Sequence, residues 1–164
     1  MNYDQLFALQ KSLDLHIETM HGLRKEELFD KKVLALLVEV GELANETRCF
    51  KFWSLKKSSP REVILEEYAD GIHFILSLGI TKSYEHIGPD MDEAENRDCD
   101  MTSQFLTVYK SINTFKEDPS EQVYKEMFTQ YAKLGHLLGF SFADIETFYM
   151  DKNKVNYERQ QQGY

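Results

Sequence analysis

Glu39, Glu42 and Glu46 stand in the stretch LVEVGELANETRCFKFWS, residues 37–54, and Glu67 and Asp70 in EEYADGIHFILSLG, residues 66–79. At about 100° per residue, Glu39 and Glu42 lie roughly 60° apart around a helix and Glu46 falls between them, so the three share one stripe. Val33, Leu34, Leu37, Val38, Val40 and Ala44 surround that stripe and Leu36 and Leu43 flank it. A helix apolar nearly all round belongs in an interior, where a carboxylate must be paired or coordinate a metal. Glu67 and Asp70 repeat the spacing beside Ile72, Phe74, Ile75 and Leu76. Two facing pairs would converge four carboxylates with a charge of about −4, too much for one Lys or Arg and suited to a hard divalent cation, Mg²⁺ first. Because Mg²⁺ keeps water and substrate phosphates in its shell, the chemistry these residues point to is binding and hydrolysis of a nucleoside di- or triphosphate.

A single E-x-x-E is ordinarily a solvated face; two of them in apolar surroundings favour the metal. A di-iron bundle is a rival, since Glu18/His21 is an E-x-x-H and Asp70/His73 is nearly one. That site needs two such motifs plus glutamates from two further helices, and here E-x-x-E stands where one would be wanted.

Helices must position these acids. Leu6, Leu9, Leu13, Ile17 and Met20 recur at steps of three and four, predicting an amphipathic helix that ends near Gly22. A second is expected from about Asp30 to the FKFWSLKK segment, and a third after SSPREV, with Ser59 as cap and Pro60 in the first turn. Residues 83–100 lose periodicity and collect acids, which reads as a solvated acidic loop. A fourth helix from Met101 to about Phe115, a fifth opened by DPSEQ and a sixth opened by Ser141 complete an all-α layout of about six helices around a four-helix core. Lys152, Asn156 and Arg159 are spaced four and three apart, so they form either one polar ridge on the last helix or part of a frayed basic end.

The totals bound the function. A chain of 164 residues, 42% hydrophobic and 29% charged with three Pro, is expected to form one domain over residues 1–164. Its 28 acids against 19 bases give a formal charge of −9, which disfavours direct binding to nucleic acid or an anionic membrane; an anionic ligand would need cations brought with it. Cys49 and Cys99 show no metal or disulfide spacing, no apolar run is long enough to span a bilayer, and the first residues lack a signal pattern. The expected location is the cytoplasm.

EVGELANETRCFKFWS, EEYADGIHF and the tail KNKVNYERQQQGY together resemble the dimeric all-α dUTPases, within the all-α nucleotide pyrophosphohydrolases that include the MazG-like proteins. The paired acids point to the superfamily; the Trp-ending segment, DGIHF and K-x-x-x-N-x-x-R point to the dUTPases. Val38 stands where many MazG-type proteins carry a further acid, and the central region is shorter than in many dimeric dUTPases. The resemblance implies a homodimer, with nine Tyr and eleven Phe supplying more apolar surface than one small bundle needs. It implies hydrolysis of dUTP, and of dUDP, to dUMP, which keeps uracil out of DNA. Glu39, Glu42, Glu67 and Asp70 would hold two or more Mg²⁺ ions, with Mn²⁺ a possible substitute. Glu42, and after it Glu39, would orient or deprotonate the attacking water. Lys152 and Arg159 would meet phosphate oxygens beside Asn156.

A uracil site needs an aromatic plate and matching polar groups. Trp53 is the candidate plate or a core residue; His73 and Phe74, one turn beyond Asp70, would sit near the sugar or pack in the core. Gln10 and Asp14 match the positions that the family places by the base, and are otherwise exposed residues of an amphipathic helix. A related enzyme acting on another nucleotide such as dCTP would keep the metal acids and alter these groups. A helical protein-binding regulator would not need the acids at all.

Overall fold

The computed structural model describes residues 3–23, 28–95 and 98–163. Among them are seven helices and no strand: α1 (Tyr3–His21), α2 (Phe29–Thr47), α3 (Arg61–Lys82), α4 (Met91–Ala94), α5 (Met101–Glu117), α6 (Glu121–Leu137) and α7 (Phe142–Gln161). The all-α expectation holds. α3 is the spine, packed against α1, α2, α6 and α7, while α5 joins α2 to α6 and α4 lies on α6.

Local chemistry explains most boundaries. α1 stops where Gly22 takes a φ of +67°, a conformation that costs glycine little, and Leu23 N–H donates to the Glu18 carbonyl at 2.8 Å. α7 opens with a full capping box: the Ser141 hydroxyl accepts from Asp144 N–H and the Asp144 carboxylate accepts from Ser141 N–H at 2.9 Å. Two expectations are corrected, the cap at Ser59 and the helix-free acidic segment. α2 ends at Thr47, before FKFWSLKK, because Arg48 turns left-handed (φ 59°) and its N–H closes on the Ala44 carbonyl. Ser59 does not cap α3; its hydroxyl donates to the Glu46 carboxylate, leaving Pro60 at the cap position. The acidic segment 83–100, of which 96 and 97 lie outside the described residues, holds the short α4, capped by the Asp90 carboxylate. Of the two alternatives for the tail the structure shows the helix, which runs to Gln161 and is fastened to α1 by Tyr149, whose hydroxyl donates to Gln10 Oε1 at 2.9 Å, and by Tyr157, whose hydroxyl donates to Ser12 at 2.8 Å.

The core is one cluster in which Leu36, Val40 and Leu43 of α2 meet Leu65, Tyr68, Ile72, Ile75 and Leu76 of α3. α2 is not enclosed all round: Leu34 and Val38 are at least half exposed. α3 is the helix that is enclosed. It meets α6 through two fully buried tyrosines stacked at 4.7 Å, Tyr68 and Tyr131, each of which donates to the other's backbone carbonyl at 3.2 and 2.9 Å. Gly71 and Gly135 make room for those rings, since a Cβ at either would overlap the tyrosine hydroxyl from the facing helix. G71A and G135A are each expected to destabilise the protein by ~1–3 kcal/mol. Because both displace the same tyrosine pair, the double variant should lose less than the sum, read from urea unfolding midpoints.

Candidate active site

Glu39 of α2 and Glu67 and Asp70 of α3 each offer a carboxylate oxygen within 4.8 Å of the others. Two facing helices explain this: residues three apart present themselves on one side, and the side opposite α2 is where α3 carries its acids. Burial, then the charges of Asp70, Glu42 and Glu67, push the Glu39 carboxyl up to about 7. Glu67 is raised by burial, Asp70 and Glu42; Asp70 is raised by burial against the opposing pull of Lys152. Lys152 of α7 is the cation of the group, its Nζ 2.9 Å from Asp70 and 2.6 Å from Glu66. Burial is the first cause of the raised Glu39 and Glu67 and the neighbouring carboxylates the next, with Lys152 opposing both; three converging carboxylate oxygens are a donor set that fits a divalent cation.

Glu42 and Glu46 part company with Glu39. Glu42 is exposed one turn along α2, outside the 4.8 Å trio though near enough to raise Glu39 and Glu67. Glu46 is turned to Ser59.

A cavity of about 260 Å³ opens beside the trio, with Glu39 and Asp70 in its wall. His73 and Phe74 of α3, Gln10 and Asp14 of α1, and Asn156 and Arg159 of α7 also line it. Eight of the twelve site residues expected from the sequence therefore meet in one cavity. Glu67 stands in the trio but not in the cavity wall, and Lys152 lines a separate depression with Glu66 and Phe148. Trp53 lines neither; it is 65% exposed, edge-on to Phe50 and Phe52.

The far end of the cavity is a hydrogen-bond network. Gln10 Nε2 donates to Asp14 Oδ1 at 2.7 Å, the Ser77 hydroxyl donates to Asp14 Oδ2 at 2.6 Å, and Lys32 Nζ lies 3.5 Å from the same oxygen. His73 Nδ1 is 2.7 Å from Gln10 Oε1, and its ring stacks on Tyr149 at 4.1 Å. Burial, helped by the charge of Lys152, lowers His73 to about 3 and keeps it neutral. Ser77, Lys32 and Tyr149 were not among the expected residues. Ser77 continues the spacing of Asp70 and His73 down α3 and so was readable; the other two lie on helices whose docking the sequence does not reveal. From Asp70 to Ser77 the stripe runs about 10 Å along α3.

A family model described as dUTPase matches residues 2–164. No curated protein matches the chain.

The raised Glu39 has a direct consequence for stability. Its folded value lies above its unfolded one, so its ionisation opposes folding from about pH 4.5 upward, fully above about 7. With chelator present, E39Q should therefore melt above the wild type at pH 8, by about 2–4 °C for each kcal/mol of repulsion relieved. The difference should shrink as pH falls from 7 and vanish below 4.5. Added Mg²⁺ or Mn²⁺ should reverse the order at pH 8, read by differential scanning calorimetry.

Proposed function

The chain belongs to the all-α dUTPase family and is a nucleoside triphosphate pyrophosphohydrolase, and on that premise we propose that it converts dUTP, and also dUDP, to dUMP with Mg²⁺ as cofactor. The observation that carries the reading is the carboxylate trio at one end of a cavity into which α1, α3 and α7 bring polar side chains. Glu39, Glu67 and Asp70 would hold Mg²⁺, with Glu42 completing the set from its exposed position. The metal supplies charge for the phosphate oxygens and acidifies water. Glu42 or Glu39 would orient the attacking water by accepting its hydrogen bond. Arg159 and Lys152 meet the phosphates, with Asn156 beside them; for Lys152 this requires its Nζ to leave Glu66 or Asp70. His73, Phe74, Gln10 and Asp14 form the nucleoside end.

Residues 1–164 act as one domain, and the working unit is a homodimer. Its support is the apolar surface left uncovered by one copy, including Leu34, Val38 and Leu55. Trp53, exposed beside Phe52, is assigned to that contact rather than to stacking on the base of its own chain's nucleotide. No described helix is long and apolar enough to cross a membrane, and we place the enzyme in the cytoplasm.

The deciding measurement is product analysis with dUTP, dUDP, dCTP, dTTP and UTP in Mg²⁺. Pyrophosphate release from dUTP well above the other triphosphates is expected, abolished by chelation. D70N and E67Q should lower kcat by at least about 10²-fold, beyond the 10–100-fold typical of residues that merely support a metal ligand. Equal turnover of all four triphosphates would replace the reading with a pyrophosphohydrolase of broad specificity, and no turnover would overturn it.

A further inference from the structure

The wall at the nucleoside end of the cavity includes a polar side chain with an unpartnered atom. His73 is 5% exposed, its ring is part of the cavity wall, and its Nε2 has no hydrogen bond within the protein. What that nitrogen offers a ligand depends on which ring nitrogen carries the proton, and the answer comes from Asp14 through Gln10.

Asp14, paired with Lys32, has only acceptors to offer. One oxygen takes the Ser77 hydroxyl and the other faces Gln10 at 2.7 Å, so Gln10 must present its amino group there. The Gln10 carbonyl oxygen is then turned the other way, toward the Tyr149 hydroxyl at 2.9 Å and His73 Nδ1 at 2.7 Å. A carbonyl facing a ring nitrogen at that distance requires the nitrogen to be N–H. His73 is neutral, so its one proton is spent on Nδ1.

We infer that Asp14 is a positioning residue for substrate selection: acting through Gln10, it fixes His73 as the Nδ1–H tautomer and leaves Nε2 as a hydrogen-bond acceptor for a donor on the nucleoside. The inference deepens the function proposed above and rests on it. Two nucleoside groups supply such a donor, the N3–H of uracil and the 3′-hydroxyl of the sugar. Cytosine has an acceptor at N3 and fails the first; it shares the second.

The opposite polarity is fully satisfiable, which makes the role of Asp14 sharp. With Asn at position 14, its carbonyl would face Lys32 and Ser77 and its amino group would face Gln10. Gln10 would turn over, its amino group would donate to His73 Nδ1, and the Tyr149 hydroxyl would still have the Leu6 carbonyl at 3.3 Å as an acceptor. The imidazole proton would move to Nε2, converting acceptor to donor. In the wild type that reversal would set a carboxylate oxygen against an amide oxygen.

The test uses the full-length protein labelled with ¹⁵N-histidine, with the tautomer read from two-bond ¹H–¹⁵N correlations. The wild type should show His73 protonated on Nδ1, and D14N should show it on Nε2. The same two proteins are assayed with dUTP, dCTP and 2′,3′-dideoxyuridine triphosphate. If the donor is uracil N3–H, D14N lowers the kcat/KM ratio of dUTP to dCTP about tenfold or more. If it is the 3′-hydroxyl, dUTP and dCTP fall together and the dideoxy nucleotide is indifferent to the substitution. Either pattern with the tautomer change supports the inference. A wild-type Nε2–H tautomer overturns it without any variant having to fold, as does a D14N protein with an unchanged tautomer or a switched tautomer with no change in kcat/KM for any nucleotide. Absence of turnover by the wild type would sink the proposed function separately, since the tautomer is read without it.

Discussion

Three carboxylates held within 4.8 Å at a half-buried helix junction are the constraint on which the rest of this molecule depends. Their burial, compounded by mutual repulsion, works against the packing of α2 on α3, and positive charge from elsewhere offsets part of it. Lys152 brings some of that charge from the far end of the chain. α7 is therefore more than a cover for the bundle. The helix that balances the acids also carries Asn156 and Arg159 into the cavity and, through Tyr149, closes the network around His73. Charge at one end of the site and docking of the C-terminal helix are a single energetic problem.

α3 solves the geometric part of it. Asp70, His73, Phe74 and Ser77 follow one another down the cavity side, so one rigid rod fixes the spacing between the acidic end and the polar end. Its other sides are locked into the core by Leu65, Ile72, Ile75 and Leu76, and by Tyr68 stacked on Tyr131. Gly71, next to Asp70, lets α6 come close enough for the Tyr131 hydroxyl to reach the α3 backbone. Close approach there leaves α3 little freedom to slide, and a cluster of like charges held on a sliding helix would simply open.

What could be read from the sequence was the chemistry encoded by local spacing. E-x-x-E and E-x-x-D in apolar stretches identified Glu39, Glu67 and Asp70, and the apolar rhythm gave the helices. Spacing failed where a side chain's fate was decided by a neighbour far along the chain. Glu46 shares the stripe of Glu39, yet Ser59, thirteen residues on, takes it. Leu34 and Val38 have the composition of core residues, but α2 has too few neighbours to cover every side. Trp53 lies beyond the end of α2, where Arg48 stops the helix, and is not in the cavity wall of its own chain. Lys32 and Tyr149 carried no local signal, since their roles exist only once α1, α2 and α7 surround one end of α3.

The two ends of the cavity satisfy their polar groups in opposite ways, and this divides the work of recognition. At the acidic end the charges do not balance, so whatever binds there is drawn by electrostatics that distinguish one nucleotide's phosphates poorly from another's. At the other end nearly every donor and acceptor is already matched within the protein: Asp14 by Gln10, Ser77 and Lys32, and Gln10 in turn by His73 and Tyr149. A network that is complete on its own side has little capacity to rearrange for a mismatched ligand, because reversing one bond would strand its neighbours. A ligand whose polarity disagrees with the unpaired His73 Nε2 leaves two buried groups unsatisfied rather than one, the kind of penalty by which polar sites reject close analogues more strongly than apolar pockets do. In the proposed reading, then, affinity comes from the acids and the metal they gather, and choice of nucleoside from a chain of hydrogen bonds whose direction is set by one carboxylate that need not touch the nucleotide.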